Sequence, residues 1–276
     1  MNVKPLNRRT SESHEQGVVS GSPLTDVNDR YWQEYWNLRS KYFADARNCQ
    51  QLYEEFIESY LERETEISWL DVGCGHTLLH HGGEEKSLKF VQRTKFAVGL
   101  DCDVVALSRN RIFSHRLAGD VESLPFGNDS FDLITANMVV EHLRNPIGFV
   151  REIVRVLKPG GAFVVHTPNL FHWEALLAYL TPHKFHELCC WLIEKRDSSD
   201  VYPVFYRANT LSVLKKLFNA VGMRLEQGGT IADVPRRFPV PLLSRVLLLL
   251  SIVEVRLLSS GFFMSFRHNL LLAFRK

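Results

Sequence analysis

The chain has 276 residues, 45% of them hydrophobic and 23% charged, with a formal net charge of +2. That length and composition suit one large globular α/β domain with elaborations, and so small a charge gives no case for a nucleic-acid-binding surface. Cysteines at 49, 74, 102, 189 and 190 follow no disulfide pattern and no uninterrupted apolar run reaches the ~18 residues of a membrane span, so a cytoplasmic location is expected.

Residues 1–26 are polar and rich in Ser and Gly, without the apolar core of a signal peptide, and read as a disordered tail. Residues 27–65 read as an N-terminal helical lid, because "DRYWQEYWNLRSKYF" and "CQQLYEEFIESYL" carry aromatic and aliphatic residues at three- and four-residue spacing. From residue 66 to 276 the pattern is that of one α/β domain. "EISWLDVG" is a first strand stopped by Gly73, "FAVGLD" (96–101) a second, "RLAGD" (116–120) a very short third, "FDLITAN" (131–137) a fourth and "GAFVVHTP" (161–168) a fifth. Before the fifth, Asn145 suits an N-cap and Pro146 the first helical position. Ile147, Val150, Ile153, Val154 and Leu157 form the stripe expected to be buried, and Pro159-Gly160-Gly161 the stop. Residues 169–208 are an aromatic- and His-rich insert. "NTLSVLKKLFNAVG" is a further helix capped by Asn209 or Thr210, and "MRLEQ" and "HNLLLAFRK" are the last two strands.

Between those strands, 241–260 is a wide apolar helix with Val246, Leu250, Val253 and Leu257 in one stripe. One reading buries it between the sheet and the insert. The other leaves a face for peripheral membrane contact or self-association.

Strands alternating with helices predict a doubly wound, mostly parallel, seven-stranded sheet, with ligands bound outside the carboxyl ends of its strands. Asp71–Gly75, Asp101, Asp120, Asn137 and His166–Asn169 fall at or just past strand ends and are expected to line one crevice. Gly73 and Gly75 let the backbone approach a ligand closely. A dinucleotide fingerprint needs a third glycine, and position 78 is leucine. Asp71, just before the loop, opposes a pyrophosphate and suits a ligand with positive charge. Both features argue against a nicotinamide-dependent oxidoreductase.

With "LDVGCGHT", "VGLDCD", "AGDVESLPFGNDSFDLI", "MVVEHL" and "EIVRVLKPGGAFVVHTPN" in that order, the chain resembles the class I S-adenosylmethionine-dependent methyltransferases, in the branch acting on small molecules. The resemblance implies S-adenosyl-L-methionine as cofactor. It implies that Asp71, Gly73 and Gly75 surround the methionine portion, Asp101 takes the ribose hydroxyls, and Asp120 and Val121 take the adenine. Tyr31 and Tyr35 are expected on the lid over that cofactor, and Asn137 in its crevice. Capping of the following helix is the alternative for Asp101, a task open to Asp103, and turn formation is the alternative for Asp120.

Methyl transfer is an in-line displacement governed by alignment and by deprotonation of the acceptor. His142, after the fourth strand, is the candidate base, with packing of its loop as the alternative. His166, inside a strand, reads as a core residue, and His172, His183 and His186 are candidates for acceptor contact. Metal-using relatives carry an acid where Met138 stands, so no metal is expected. The partner is a small-molecule acceptor, methylated through oxygen. A catalytically inactive binding module of the same fold is the alternative from another class.

Overall fold

The computed structural model describes residues 23–43, 48–63, 66–79, 82–181, 202–233, 241–258 and 264–276. Among them lie helices α1 (Pro23–Phe43), α2 (Cys49–Arg63), α3 (Gly83–Gln92), α4 (Val104–Arg109), α5 (Pro146–Val156), α6 (Trp173–Leu180), α7 (Leu211–Ala220) and α8 (Pro241–Leu258). The strands are β1 (Ser68–Val72), β2 (Phe96–Asp101), β3 (His115–Ala118), β4 (Phe131–Asn137), β5 (Leu157–Pro168), β6 (Arg224–Ile231) and β7 (Asn269–Arg275). They form one sheet in the order β3-β2-β1-β4-β5-β7-β6, in which β7 alone runs antiparallel to its neighbours. The expected doubly wound, mostly parallel, seven-stranded sheet is the one observed.

Strand side chains alternate between faces, and here both faces are buried. Leu70, Val72, Ile134, Ala136, Phe163 and Val165 belong to one core with Phe149, Val150 and Ile153 of α5 and Leu214 and Phe218 of α7. Trp69, Leu133, Ala162 and Val164, one residue out of phase, belong to the other with Tyr53 and Ile57 of α2 and Phe90 of α3. This double coverage is why the strands read as continuous apolar runs. Strand order reverses between β1 and β4, where Asp71 lies in register with Thr135. The crevice outside their carboxyl ends is the switch point at which such sheets bind ligands.

Several local expectations are corrected. Helix α1 starts at Pro23, inside the span read as tail, and residues 1–22 lie outside the described residues. Strand β3 ends at Ala118, and Asp120 falls in a turn bridged to Ser123. In α5 the Asn145 cap and the Pro146 start are as expected, but Ile147 is 54% exposed while Phe149 and Val156 are buried. Of the expected stripe, Val150, Ile153 and Leu157 are buried and Val154 is partly so, and Ile147 alone faces outward. The helix ends at Val156, and Pro159-Gly160-Gly161 lies within β5, in the irregular stretch between its pairings to Phe131 and Leu133.

Thr210, not Asn209, caps α7. Helix α8 packs against α1, with Leu248 and Ile252 closing on Tyr35. Of the stripe Val246, Leu250, Val253 and Leu257, the first three are exposed, and the side chain of Leu257 lies outside the described residues. In the insert, Phe171, Trp173, Tyr179 and Tyr202 are exposed and Tyr206 is buried. His183, Phe185, His186, Cys189, Cys190 and Trp191 lie outside the described residues.

The phase of α5 is testable. Ile153→Ala removes a fully buried side chain and should cost about 2–5 kcal/mol. Ile147→Ala should stay within about 0.5 kcal/mol. Urea denaturation of both variants checks this, and equal losses would contradict the packing.

Candidate active site

The loop after β1 is shaped by its glycines. The amides of Gly73 and Cys74 both donate to the Leu100 carbonyl, at 2.7 and 3.1 Å, which bends the chain over the end of β2. Gly73 has φ +69°, and a Cβ there would lie 2.3 Å from Val139. Gly75 has φ +49°, yet nothing lies within 4 Å of where its Cβ would be. The first glycine is required by packing, and the second faces open space in a left-handed conformation costly to other residues. Asn110, fully buried, holds the loop from behind by donating to the Gly75 carbonyl at 2.9 Å.

Asp101 closes the loop from the side. Its carboxylate accepts the Gly75 amide at 2.8 Å through one oxygen and the Asp103 amide at 2.8 Å through the other. Capping of α4 falls to Asp103, which accepts the amides of Val105 and Ala106, so Asp101 is not consumed as a helix cap. A carboxylate has about four acceptor positions, and backbone bonds occupy two. Tyr202, near the end of the insert, donates its hydroxyl to Asp103. It ties the 202–206 stretch to this corner.

Asp71 is buried beneath the loop. It accepts the Thr135 hydroxyl, whose oxygen in turn accepts the Trp69 indole N–H at 2.8 Å. Burial pushes the Asp71 carboxyl up to about 7. The Thr135 bond works against that shift, and the charge of Asp101 adds to it.

At the end of β4, Asn137 accepts His166 Nδ1–H at 2.8 Å and donates to Gln50 of α2 at 3.0 Å. It is thus α2 that closes on this side of the crevice. Tyr35 packs into the α1–α8 contact instead, and the side chain of Tyr31 lies outside the described residues. Asp120 accepts the Glu122 amide at 2.8 Å, so it forms the turn weighed for it. The Gly119 amide bonds the Asp101 carbonyl at 3.0 Å, which keeps that turn beside β2. Val121 packs partly buried against the core.

His142 sits in a 3-10 turn, Val140–His142. Its Nδ1 meets the Pro203 carbonyl at 2.8 Å. A carbonyl only accepts, so Nδ1 carries the proton and the neutral ring keeps its lone pair on Nε2. That Nε2 lies 3.9 Å from the carboxylate of Glu141. Glu141 is buried, accepts Thr167 at 2.9 Å, and is held above the usual carboxylate range by desolvation, against the pull of His142. Glu141, Asn110 and Gln50 are not singled out by the sequence as site residues. Only Glu141 carried a signal, its place beside His142 in "MVVEHL".

Residues 70–165 match the family described as "Methyltransferase domain". The chain is 26% identical over 233 residues to the sterol 24-C-methyltransferase of Candida albicans, an alignment covering 78% of this chain and 56% of that protein. It is 36% identical over 124 residues to the phthiotriol/phenolphthiotriol dimycocerosates methyltransferase of Mycobacterium tuberculosis, covering 40% of this chain and 42% of that one. An S-adenosylmethionine-dependent methyltransferase from Mesorhizobium loti shares the fold with a TM-score of 0.52 at 16% identity, over 80% of this chain and 96% of that chain. Over residues 70–165 the chain is thus similar to methyltransferase domains, among them that of a probable S-adenosylmethionine-dependent methyltransferase of Mycolicibacterium smegmatis, 34% identical over 103 residues, 36% of this chain and 37% of that one. It spans little more than half the length of the sterol relatives it matches.

The raised Asp71 carboxyl gives a signed prediction. Between about pH 4 and 7 the folded chain keeps a proton that the unfolded chain releases, so stability should fall as pH rises through that window. The slope is expected to flatten in Asp71→Asn, as measured by urea denaturation across the range. An unchanged slope would contradict the assignment.

Proposed function

We propose that this chain transfers a methyl group from S-adenosylmethionine to a small lipophilic acceptor, at oxygen, with His142 as general base. The observation that carries the reading is the Gly73–Asp101 corner. Gly75 opens onto space with no side chain in the way. The carboxylate that orders its amide keeps lone pairs for two ribose hydroxyls. Asp71 and the loop backbone at Gly73 and Gly75 would hold the methionine portion. Asp120, Val121 and Asn137 would complete the pocket on the adenine and β4 sides, and Tyr31 the lid.

When bound, the cofactor supplies a methyl group already activated on a sulfonium, so the chain's own work is alignment and proton removal. His142 Nε2 is poised to take the acceptor's proton. Its ring is fixed by the Pro203 carbonyl, and the imidazolium formed is stabilised by the Glu141 carboxylate 3.9 Å away. Met138 offers no carboxylate where metal-using relatives place one, so the transfer is proposed to need no metal there. The apolar character of the acceptor is supported by exposed Phe171, Trp173, Leu177 and Tyr179 beyond β5, and by the printed names of the sterol and dimycocerosate relatives. A carbon acceptor is the second reading, favoured by the name 24-C-methyltransferase.

Asp101→Ala is expected to weaken S-adenosylhomocysteine binding at least ~10-fold, since each lost charge-assisted hydrogen bond is worth about 1.5–3 kcal/mol. Calorimetry reads this, and unchanged affinity would overturn the ribose assignment. His142→Ala should leave that affinity intact and slow transfer by roughly 10²–10⁴-fold. Transfer of a labelled methyl group into a lipid and sterol extract, with the product located by NMR, supplies the assay and separates oxygen from carbon. Full activity in the variant would remove His142 from the chemistry.

A further inference from the structure

Beyond the end of β5 a second group of chemically active side chains comes together. We propose that His172, Glu174 and His268 bind one late transition-metal ion of the zinc type, which ties the first turn of α6 to the start of β7. One ligand atom from each residue lies within 4.8 Å of the other two. The rings of His172 and His268 are stacked, with centroids 3.8 Å apart and planes inclined by 29°. His172 Nδ1 stands 3.9 Å from Glu174 Oε2. Zinc bonds are about 2.0–2.2 Å to nitrogen and oxygen, and ligand atoms this near one another close on one such ion with side-chain adjustment, Glu174 standing at the exposed edge of the cluster.

The donor set selects the metal. Two imidazoles with one carboxylate suit Zn²⁺ and its neighbours, whereas Mg²⁺ and Ca²⁺ take oxygen ligands. Three protein ligands leave a coordination position for water.

The surroundings hold the two histidine-bearing segments in place. Asn169, buried, donates its side-chain amide to the carbonyls of Ser265 and Arg267, both at 2.8 Å, and its backbone amide to the His268 carbonyl at 2.9 Å. The Asn169 carbonyl accepts the His172 amide at 2.9 Å. One residue thus fixes both ligand segments, the kind of support from outside the ligand set that metal sites need. Of the two nitrogens of His268, Nδ1 meets the Asp233 amide at 3.4 Å, so an ion competes for that ring with a long and weak bond. The sequence expectation of no metal considered position 138. This cluster is separate from it and independent of the methyl-transfer reading.

The test uses the full chain, stripped with chelator and dialysed, with Zn²⁺ alone as probe. Calorimetry should show one saturable equivalent, Mg²⁺ should not replace it, and the melting temperature should rise with Zn²⁺. Glu174→Gln, a surface change, should weaken binding at least tenfold, and His268→Gln should abolish the saturable site. Both variants should keep wild-type affinity for S-adenosylhomocysteine as proof of folding. Absence of saturable Zn²⁺ binding, equal binding of Mg²⁺, or binding that survives in both variants would overturn the proposal.

Discussion

The hydroxyl of Thr135 joins the interior of the sheet to its ligand-binding edge. It accepts the buried Trp69 indole N–H and donates to the buried Asp71 carboxylate. A charge-bearing side chain is thereby held at the end of β1, where burial alone would disfavour it. Because β1 and β4 pair in the register Asp71 to Thr135, a one-residue slip would turn this partner to the other face. The glycine loop, the Asp101 carboxylate and the Asn137 end of β4 are all laid out from that register.

Around this link the site is built mainly from backbone. Leu100 receives two amides of the loop, and Asp101 receives the amides of Gly75 and Asp103. A loop ordered by its own amides leaves its side chains small, and Gly75 shows why. The proposed acceptor side is different in kind. His142, Glu141, Tyr202 and Tyr206 meet through side chains and through the 202–206 stretch, whose amides at Phe205 and Tyr206 bond the Glu141 carbonyl. A backbone-built cradle beside a side-chain-built wall is a division that lets a fold keep one site while the other changes its chemistry.

The strands and the loop were legible because their signals are local. β2 and β4 lie where their apolar runs place them, and the Asn145 cap with Pro146 marks the start of α5 correctly. What was not legible depends on distant pairing. Ile147 and Val156 share a helix, and only the position of the sheet decides which of them is buried. Helix α8 finds α1 across most of the chain, so its buried face, Leu248 and Ile252, could not be chosen from its own wheel. His172 and His268 meet because β5 and β7 run antiparallel with Pro168 opposite Asn269, a register no local pattern announces.

The cofactor is proposed to sit at the β1–β4 switch point, on the Gly73–Gly75 loop and the Asp101 carboxylate. A crystal structure of the full chain soaked with S-adenosylhomocysteine tests it most directly. Ribose hydroxyls are expected within hydrogen-bond distance of Asp101, with the ligand crossing the open side of Gly75. A ligand bound elsewhere, or one at this loop with its ribose away from Asp101, would contradict it.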